Sequence, residues 1–136
     1  MLVEINNTTK DKIDLSMVKR SVEFFLKKYK LSKKQVSIAF VGDKRMTELN
    51  QIYRGKKTTT DVLSFEGEGD LLGEIILNHK QIKRQAKELG NKEKYELVFI
   101  IIHGLLHLIG YDDKNDKDKK IMIKKGEEII KKMKEA

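Results

Sequence analysis

An uncharged, apolar run occupies residues 97–111 and contains two of the chain's three histidines, His103 and His107. A helix that spans a bilayer needs about 20 apolar residues, so this run is too short to cross a membrane. Apolar side chains on all sides of a helix indicate that the helix is buried. We therefore predict a helix over residues 93–109 in the interior of the protein, ended by Gly110.

His103 and His107 are four residues apart, a spacing that places both imidazoles on one face of a helix, one turn apart. Two neutral imidazoles in this arrangement can bind one metal ion. Gly110 then breaks the helix, and the carboxylates of Asp112 and Asp113 follow at once. The alternative is a pair of core histidines that hydrogen-bond to backbone or carboxylate groups. Burying two polar rings is costly unless both are satisfied, and a metal ion would satisfy them.

The spacing also matches the metzincin protease pattern H-E-x-x-H-x-x-G-x-x-H, with Asp113 in the place of the third histidine. Carboxylate is an acceptable zinc ligand, and three protein ligands leave a fourth position open, as in catalytic zinc sites. Gly104 stands where those proteases have the glutamate that acts as general base. The pattern predicts a hydrolytic metal site without the peptidase base, and a structural zinc site is the alternative.

Hydrophobic periodicity in the rest of the chain predicts an α+β fold, with a small mixed sheet of about four strands and about five helices. The central buried helix carries the metal-binding histidines. The predicted strands cover residues 2–6, 36–40, 62–65 and 74–77, and the predicted helices cover residues 15–29, 43–53, 79–89 and 93–109, with a last helix from about residue 116. Asp14 and Asn78 are the expected caps of the first and third helices. With 136 residues and neither repeat nor linker, we expect a single domain over residues 1–136.

The sequence contains no cysteine, which excludes disulfide scaffolds, thiolate zinc sites and cysteine nucleophiles. The formal net charge is +8, and basic residues are concentrated in residues 10–34, 80–94 and 114–136. This pattern favours a polyanionic partner such as RNA, although lysines that only solvate helix faces produce the same pattern. The N-terminus lacks the regions of a signal peptide, so we expect a cytoplasmic protein without a membrane association.

A second polar segment, residues 50–65, lies at a predicted junction between a loop and a strand. Arg54 is one of only four arginines in this lysine-rich chain, and the guanidinium group suits bidentate contact with phosphate. Lys56 and Lys57 add two further cations. A solvated basic loop is the alternative interpretation of this segment.

Together the two segments resemble the YbeY family of bacterial metal-dependent endoribonucleases. That family carries a Tyr-Arg-x-Lys…Pro-Thr-Asp-Val-Leu-Ser-Phe segment, then Gly-Asp-Ile, then H-G-x-L-H-L-x-G-Y-D-H. The counterparts here are residues 53–65, 73–75 and 103–113, in the same order and spacing. Three positions depart from the family pattern: Thr59 replaces proline, Glu74 replaces aspartate, and Asp113 replaces the third histidine.

The resemblance implies cleavage of single-stranded RNA in ribosomal RNA processing, notably at the small-subunit 3′ end, and in ribosome quality control. It implies that His103, His107 and Asp113 hold one zinc ion, with another divalent metal as the alternative, and that Arg54 serves cleavage. RNA, as ribosomal RNA or the ribosome, is the implied partner. The competing hypotheses are a metallopeptidase-like hydrolase and a non-catalytic ribosome-assembly factor with a structural metal.

The residues leave the general base open between Asp61 and Asp112, each of which has an alternative structural role. Ser64, in a predicted strand, is expected to serve packing or capping. His79, at the start of the third helix, is expected at the surface. The oligomeric state is not fixed by the sequence.

Overall fold

The computed structural model describes residues 2–136, which form one four-stranded sheet and five helices and so confirm the predicted α+β class. The strands are β1 (Val3–Asn7), β2 (Gln35–Val41), β3 (Val62–Glu66) and β4 (Leu71–Asn78). The helices are α1 (Leu15–Lys28), α2 (Asp43–Arg54), α3 (His79–Leu89), α4 (Glu93–Leu108) and α5 (Asp116–Glu135).

The sheet is mixed, as predicted, with strand order β1-β2-β4-β3. Strands β1, β2 and β4 are parallel, whereas β3 pairs antiparallel with β4. Parallel neighbours require a crossover, and α1 provides it between β1 and β2. The antiparallel β3 needs only a tight turn before β4, and this turn uses Gly69 with a φ of +62°. The topology therefore leaves β3 as an edge strand.

The helix ends follow the capping residues that the sequence indicated. The Asp14 carboxylate accepts a hydrogen bond from the backbone N–H of Met17 at 3.0 Å and begins α1. The Asn78 side chain accepts one from the N–H of Gln81 at 3.3 Å and begins α3. These bonds satisfy donors that the first turn of a helix leaves without a partner.

Helix α4 is the centre of the molecule, because it contacts α1, α3, α5 and the strands β3 and β4. Its residues Ile101, Ile102, Leu105 and Leu106 are completely buried. The surrounding elements remove its apolar surface from water, at roughly 1.5–3 kcal/mol for each large side chain. Within residues 2–136, no helix is long and apolar enough to cross a membrane.

Two glycines bring α4 close to the sheet. A Cβ atom on Gly73 of β4 would lie 2.5 Å from the Phe65 carbonyl oxygen and 2.6 Å from Leu108 Cδ2. A Cβ atom on Gly104 of α4 would lie 3.1 Å from Ser64 Oγ and 3.3 Å from Ile75. The C-terminal half of α4 therefore rests directly on β3 and β4, and this contact sets the height of the histidines above the edge strand.

Two expectations about surface and core are wrong. His79 is 8% exposed, and its Nδ1 lies 3.0 Å from Asp11 Oδ2, so this ring is buried with a partner. Conversely, hydrophobic periodicity predicts that Ile52 and Tyr53 continue the apolar stripe of α2 and that Leu89 continues that of α3, but these residues are 67%, 61% and 66% exposed. These residues stand in the last turns of their helices, beyond the part of each helix that the sheet covers.

The close approach at Gly73 gives a stability prediction. Gly73→Ala inserts a methyl group against a backbone oxygen, and we expect it to lower the free energy of unfolding by about 1–3 kcal/mol. Ser37→Ala, on β2 opposite the next residue, Glu74, should change that free energy by no more than about 0.5 kcal/mol. Urea unfolding followed by circular dichroism measures both, and equal midpoints for the two variants would contradict the packing described here.

Candidate metal centre

His103 and His107 lie one turn apart near the C-terminal end of α4, with their Nε2 atoms 3.2 Å from each other. The ring centroids are 4.8 Å apart and the planes are inclined by 83°. This is the arrangement predicted from the four-residue spacing. The helix positions both rings on the face that turns towards β3 and an open cleft.

The tautomer of His107 follows from its neighbour. The Nδ1 atom lies 3.1 Å from the carbonyl oxygen of Tyr111, which can only accept a hydrogen bond. Nδ1 therefore carries the proton, and Nε2 presents its lone pair. Gly110, with a φ of +106°, allows the chain to turn so that the Tyr111 carbonyl returns to the ring. A ring fixed in this way by a backbone carbonyl is typical of histidines that bind metals.

The turn that orients His107 also brings Asp113 back over the two rings. Asp113 Oδ2 lies 3.5 Å from His103 Nε2 and 3.7 Å from His107 Nε2. Asp112 takes a different position, because its Oδ1 accepts the backbone N–H of Asp113 at 2.7 Å. Asp112 therefore stabilises the turn, and Asp113 is the carboxylate that meets the histidines.

The three ligand atoms fit a metal ion. Their separations of 3.2, 3.5 and 3.7 Å approach the edges of roughly 3.3–3.6 Å expected for a tetrahedron with metal–ligand bonds of about 2.0–2.2 Å. With Nδ1 of His107 protonated, a lone pair of His107 faces His103 at contact distance and needs a proton or a cation between them. Two imidazoles and one carboxylate form a donor set suited to zinc.

Burial favours the neutral form of the His103 imidazole, which is the form that binds a cation. The pKa of His103 is lowered chiefly because the ring is removed from water, and His107 lowers it further. Asp113 and Asp61 act in the opposite direction without reversing the shift. A lowered pKa leaves the imidazole neutral at pH 7, which is the form that binds metal ions.

The triad opens into a cleft of about 760 Å³. Three cationic side chains line it, namely Arg54 and Lys56 beside β3 and Lys119 from α5. Among the described residues, none of the three makes an ion pair or a side-chain hydrogen bond. The cleft is therefore electropositive opposite the carboxylates of Asp61 and Asp113, an arrangement that suits an anionic substrate.

Three side-chain amides fasten the loop between α2 and β3, which carries Lys56 and Asp61. Asn50 Nδ2 donates to the Thr58 carbonyl at 2.8 Å, and Asn78 Nδ2 donates to Thr59 Oγ1 at 2.8 Å. Gln85 Nε2 donates to Asp61 Oδ2 at 3.1 Å. The loop from α2 to β3 is thus held from three elements, α2, β4 and α3.

Asp43 also holds the loop between α2 and β3. Its carboxylate accepts two hydrogen bonds from Arg84, at 2.6 and 3.1 Å, and one from Asn78 at 2.7 Å. These contacts, with Arg84 the largest, lower the pKa of Asp43 to about 2. Thr59, which stands in place of the proline of the family pattern, lies 3.4 Å from Asp43 through its hydroxyl. At position 59, hydrogen bonds of the threonine side chain restrain the loop, whereas a proline would restrict the backbone dihedral angle directly.

The other residues considered in the sequence analysis differ in whether they reach the cleft. Asp61 lines the cleft, whereas Asp112 does not. Ser64 donates a long hydrogen bond of 3.3 Å to the Gly104 carbonyl, in line with its expected packing role. Gly104 faces Ser64 and Ile75 so closely that a side chain there would require both of those side chains to shift.

Sequence reasoning did not find Phe99, Lys119 and Ile123, which also line the cleft. Phe99 stands four residues before His103 and its ring stacks on that imidazole, with centroids 6.4 Å apart. The helical period of α4 could have indicated Phe99. Lys119 and Ile123 carry no such signal, because only the packing of α5 on α4 brings them to the site.

Comparison with known proteins places this geometry in a family. Residues 4–134 match the family described as Endoribonuclease YbeY. The Endoribonuclease YbeY of Geobacillus thermodenitrificans is 41% identical over 110 residues, which cover 71% of this chain and 70% of that protein. The protein of the same name from Thermodesulfovibrio yellowstonii is 42% identical, over 88% of this chain and 86% of that protein.

A solution structure of a protein from Thermotoga maritima is also similar. It matches with a TM-score of 0.69 at 30% identity, and the match covers 96% of this chain and 88% of that one. The family match extends over both segments that build the cleft, from the arginine at the end of α2 to the carboxylate after α4. The chain therefore belongs to the endoribonuclease YbeY family.

Proposed function

We propose that this protein is a metal-dependent endoribonuclease that cleaves single-stranded RNA. The observation that carries the proposal is the convergence of two imidazoles and a carboxylate, within 4.8 Å of one another, at the base of a cleft lined by three cations. Membership of the YbeY family supplies the reaction class. We further propose a role in ribosomal RNA processing, at the small-subunit 3′ end, and in ribosome quality control in the cytoplasm.

His103, His107 and Asp113 are the proposed ligands, and zinc is the ion that their donor set favours. When bound, such an ion supplies Lewis acidity and lowers the pKa of a coordinated water. The backbone carbonyl of Tyr111 keeps the lone pair of His107 directed at the ion. The partial exposure of Asp113, whose side chain is 37% accessible, leaves a side of the triad open to substrate.

Arg54 is the proposed phosphate-binding residue. Its guanidinium group lines the cleft at the end of α2, and its planar fork can donate two parallel hydrogen bonds to phosphate oxygens. Lys56 and Lys119 also line the cleft and add positive charge. Asp61, held by Gln85, is the proposed proton acceptor, because of the two candidate carboxylates only Asp61 lines the cleft.

Metal content tests the first step of the proposal. We expect about one zinc ion per chain in purified protein and loss of that ion in His103→Ala, because the remaining imidazole and carboxylate hold it weakly. His79→Gln is the matched control, since His79 pairs with Asp11 outside the triad and should leave the content unchanged. Inductively coupled plasma mass spectrometry measures all three proteins. An equal zinc content in His103→Ala would refute the assignment.

The third ligand has its own test. Asp113→Ala should weaken zinc affinity by roughly 100-fold or more, because it removes a charged ligand directly. Asp112→Asn keeps the oxygen that accepts the Asp113 N–H and should change the affinity by less than about tenfold. Competition with a fluorescent chelator gives both constants. A larger effect at Asp112 than at Asp113 would exchange their roles.

Arg54→Ala should reduce the rate of cleavage of a single-stranded RNA oligonucleotide by roughly 100- to 1,000-fold while zinc stays bound. Arg54→Lys should recover only part of the loss, because an ammonium group cannot make the bidentate contact. Arg45→Ala is the control, since Arg45 stands on the same helix and pairs only with Glu48 at the surface. Casein is assayed in parallel with the zinc-loaded protein. Casein cleavage that depends on His103, or RNA cleavage unaffected by both Arg54→Ala and His103→Ala, would reject the proposal.

A further inference from the structure

Tyr53 is an aromatic residue in solvent beside the cleft, and the mechanism above does not use it. It is 61% exposed, at the end of α2 immediately before Arg54. A scattered exposed apolar residue needs no special explanation. Tyr53 differs because its ring is held in place: it packs on Phe65 with centroids 4.8 Å apart and planes inclined by 62°. The ring therefore rests on Phe65 and remains accessible to solvent.

The position of this ring relative to the metal centre follows from the strand between them. Successive side chains of a strand point to opposite faces, so Ser64 faces the cleft and Gly104, whereas Phe65 packs with the cluster beneath α2. Tyr53 contacts Phe65, and the next residue, Arg54, lines the cleft. Since β3 is an edge strand of the sheet, a chain leaving the metal centre past Arg54 crosses one strand edge and reaches Tyr53.

The charge along this path is positive. Residues 49–60 contain Arg54, Lys56 and Lys57 and no carboxylate. An aromatic side chain that adjoins a cationic path is the usual arrangement for binding single-stranded nucleic acid without sequence preference. The cations bind successive phosphates, and the ring stacks on a base. A protein partner that covers Ile52 and Tyr53 would have to be acidic to make favourable contacts with the three cations around them.

We propose that Tyr53 is a stacking platform for one base of single-stranded RNA, next to the nucleotide whose phosphodiester lies at the metal centre. The proposal rests on the proposed ribonuclease function and adds a flanking subsite to it. The subsite reads the presence of an unpaired base rather than its identity, because every base offers a face for stacking. A duplex cannot place a base on Tyr53, so the subsite contributes to the preference for single strands.

Binding and cleavage are measured separately to test this. The full zinc-loaded chain is titrated with a single-stranded 2′-O-methyl oligonucleotide, whose integrity is checked after each titration. Tyr53→Leu retains apolar cover for Phe65 but has no ring, and we expect its Kd to rise roughly 5- to 100-fold. Tyr53→Phe retains the ring and should bind within about twofold of the unchanged protein. Leu89→Ala is the control, because Leu89 is equally exposed but stands on α3, away from the cleft.

Two further readouts separate stacking from a general loss of structure or charge. 2-Aminopurine placed at successive positions should be quenched at one position by the unchanged protein and by Tyr53→Phe, and not by Tyr53→Leu. The slope of log Kd against log salt should be the same in Tyr53→Leu, because no phosphate contact is lost, and should fall by about one unit in Lys56→Ala.

Equal affinity and equal quenching in Tyr53→Leu and the unchanged protein would overturn the proposal and leave Tyr53 to a protein partner. If cleavage still depends on His103 in that case, the ribonuclease function stands without this subsite. If RNA binding depends on the Tyr53 ring while no RNA is cleaved, the subsite stands and the proposed catalytic function fails.

Discussion

Two imidazoles stand in a helix whose other faces are removed from water, and the need to satisfy them decides how the site is built. One hydrogen bond, from His107 Nδ1 to the carbonyl of Tyr111, has two consequences. It fixes the lone pair of His107 towards His103, and it requires the chain to turn back over the end of α4. Gly110 permits that turn, and the same turn delivers Asp113 to the rings. One turn of the backbone therefore both orients the His107 ring and places Asp113 beside the two imidazoles.

The sequence was sufficient to predict this part because all of it is local. The helical period gives the common face of His103 and His107, a glycine marks the turn, and the carboxylate follows within six residues. The hydrogen bonds that hold the loop between α2 and β3 could not be predicted in that way, because their partners are far apart in the sequence. Asn78 and Asp43 are 35 residues apart, and Gln85 and Asp61 are 24 apart. From sequence alone, an amide that will be buried with a hydrogen-bond partner cannot be distinguished from an amide at the surface, because the partner is identified only by the fold.

The same limit explains the errors about burial. Periodicity shows which face of a helix is apolar, but it does not show where the surface that covers this face ends. Helix α2 therefore buries Met46 and Leu49 on the sheet while its last turn projects Ile52 and Tyr53 into solvent. His79 is the converse case, since its burial depends on Asp11, 68 residues away. Both errors concern tertiary contacts, whereas the helices and strands themselves were predicted correctly.

Close packing at Gly104 links the fold to the chemistry. In the metzincin pattern, the residue after the first histidine supplies the general base. Here a single Cβ atom at that position already meets Ser64 and Ile75 at 3.1–3.3 Å, because α4 rests directly on β3 and β4. A glutamate there would require Ser64 and Ile75 to shift, at the same contact that positions His103 and His107 above the sheet. The packing that positions the triad thus disfavours a base at position 104, whereas the carboxylate of Asp61 already lines the cleft. Arg54 ends α2 and Asp61 ends the loop that follows it, whereas His103 and His107 stand on α4 and Asp113 lies in the turn after α4. The two halves of the candidate site are therefore positioned by different elements of the fold.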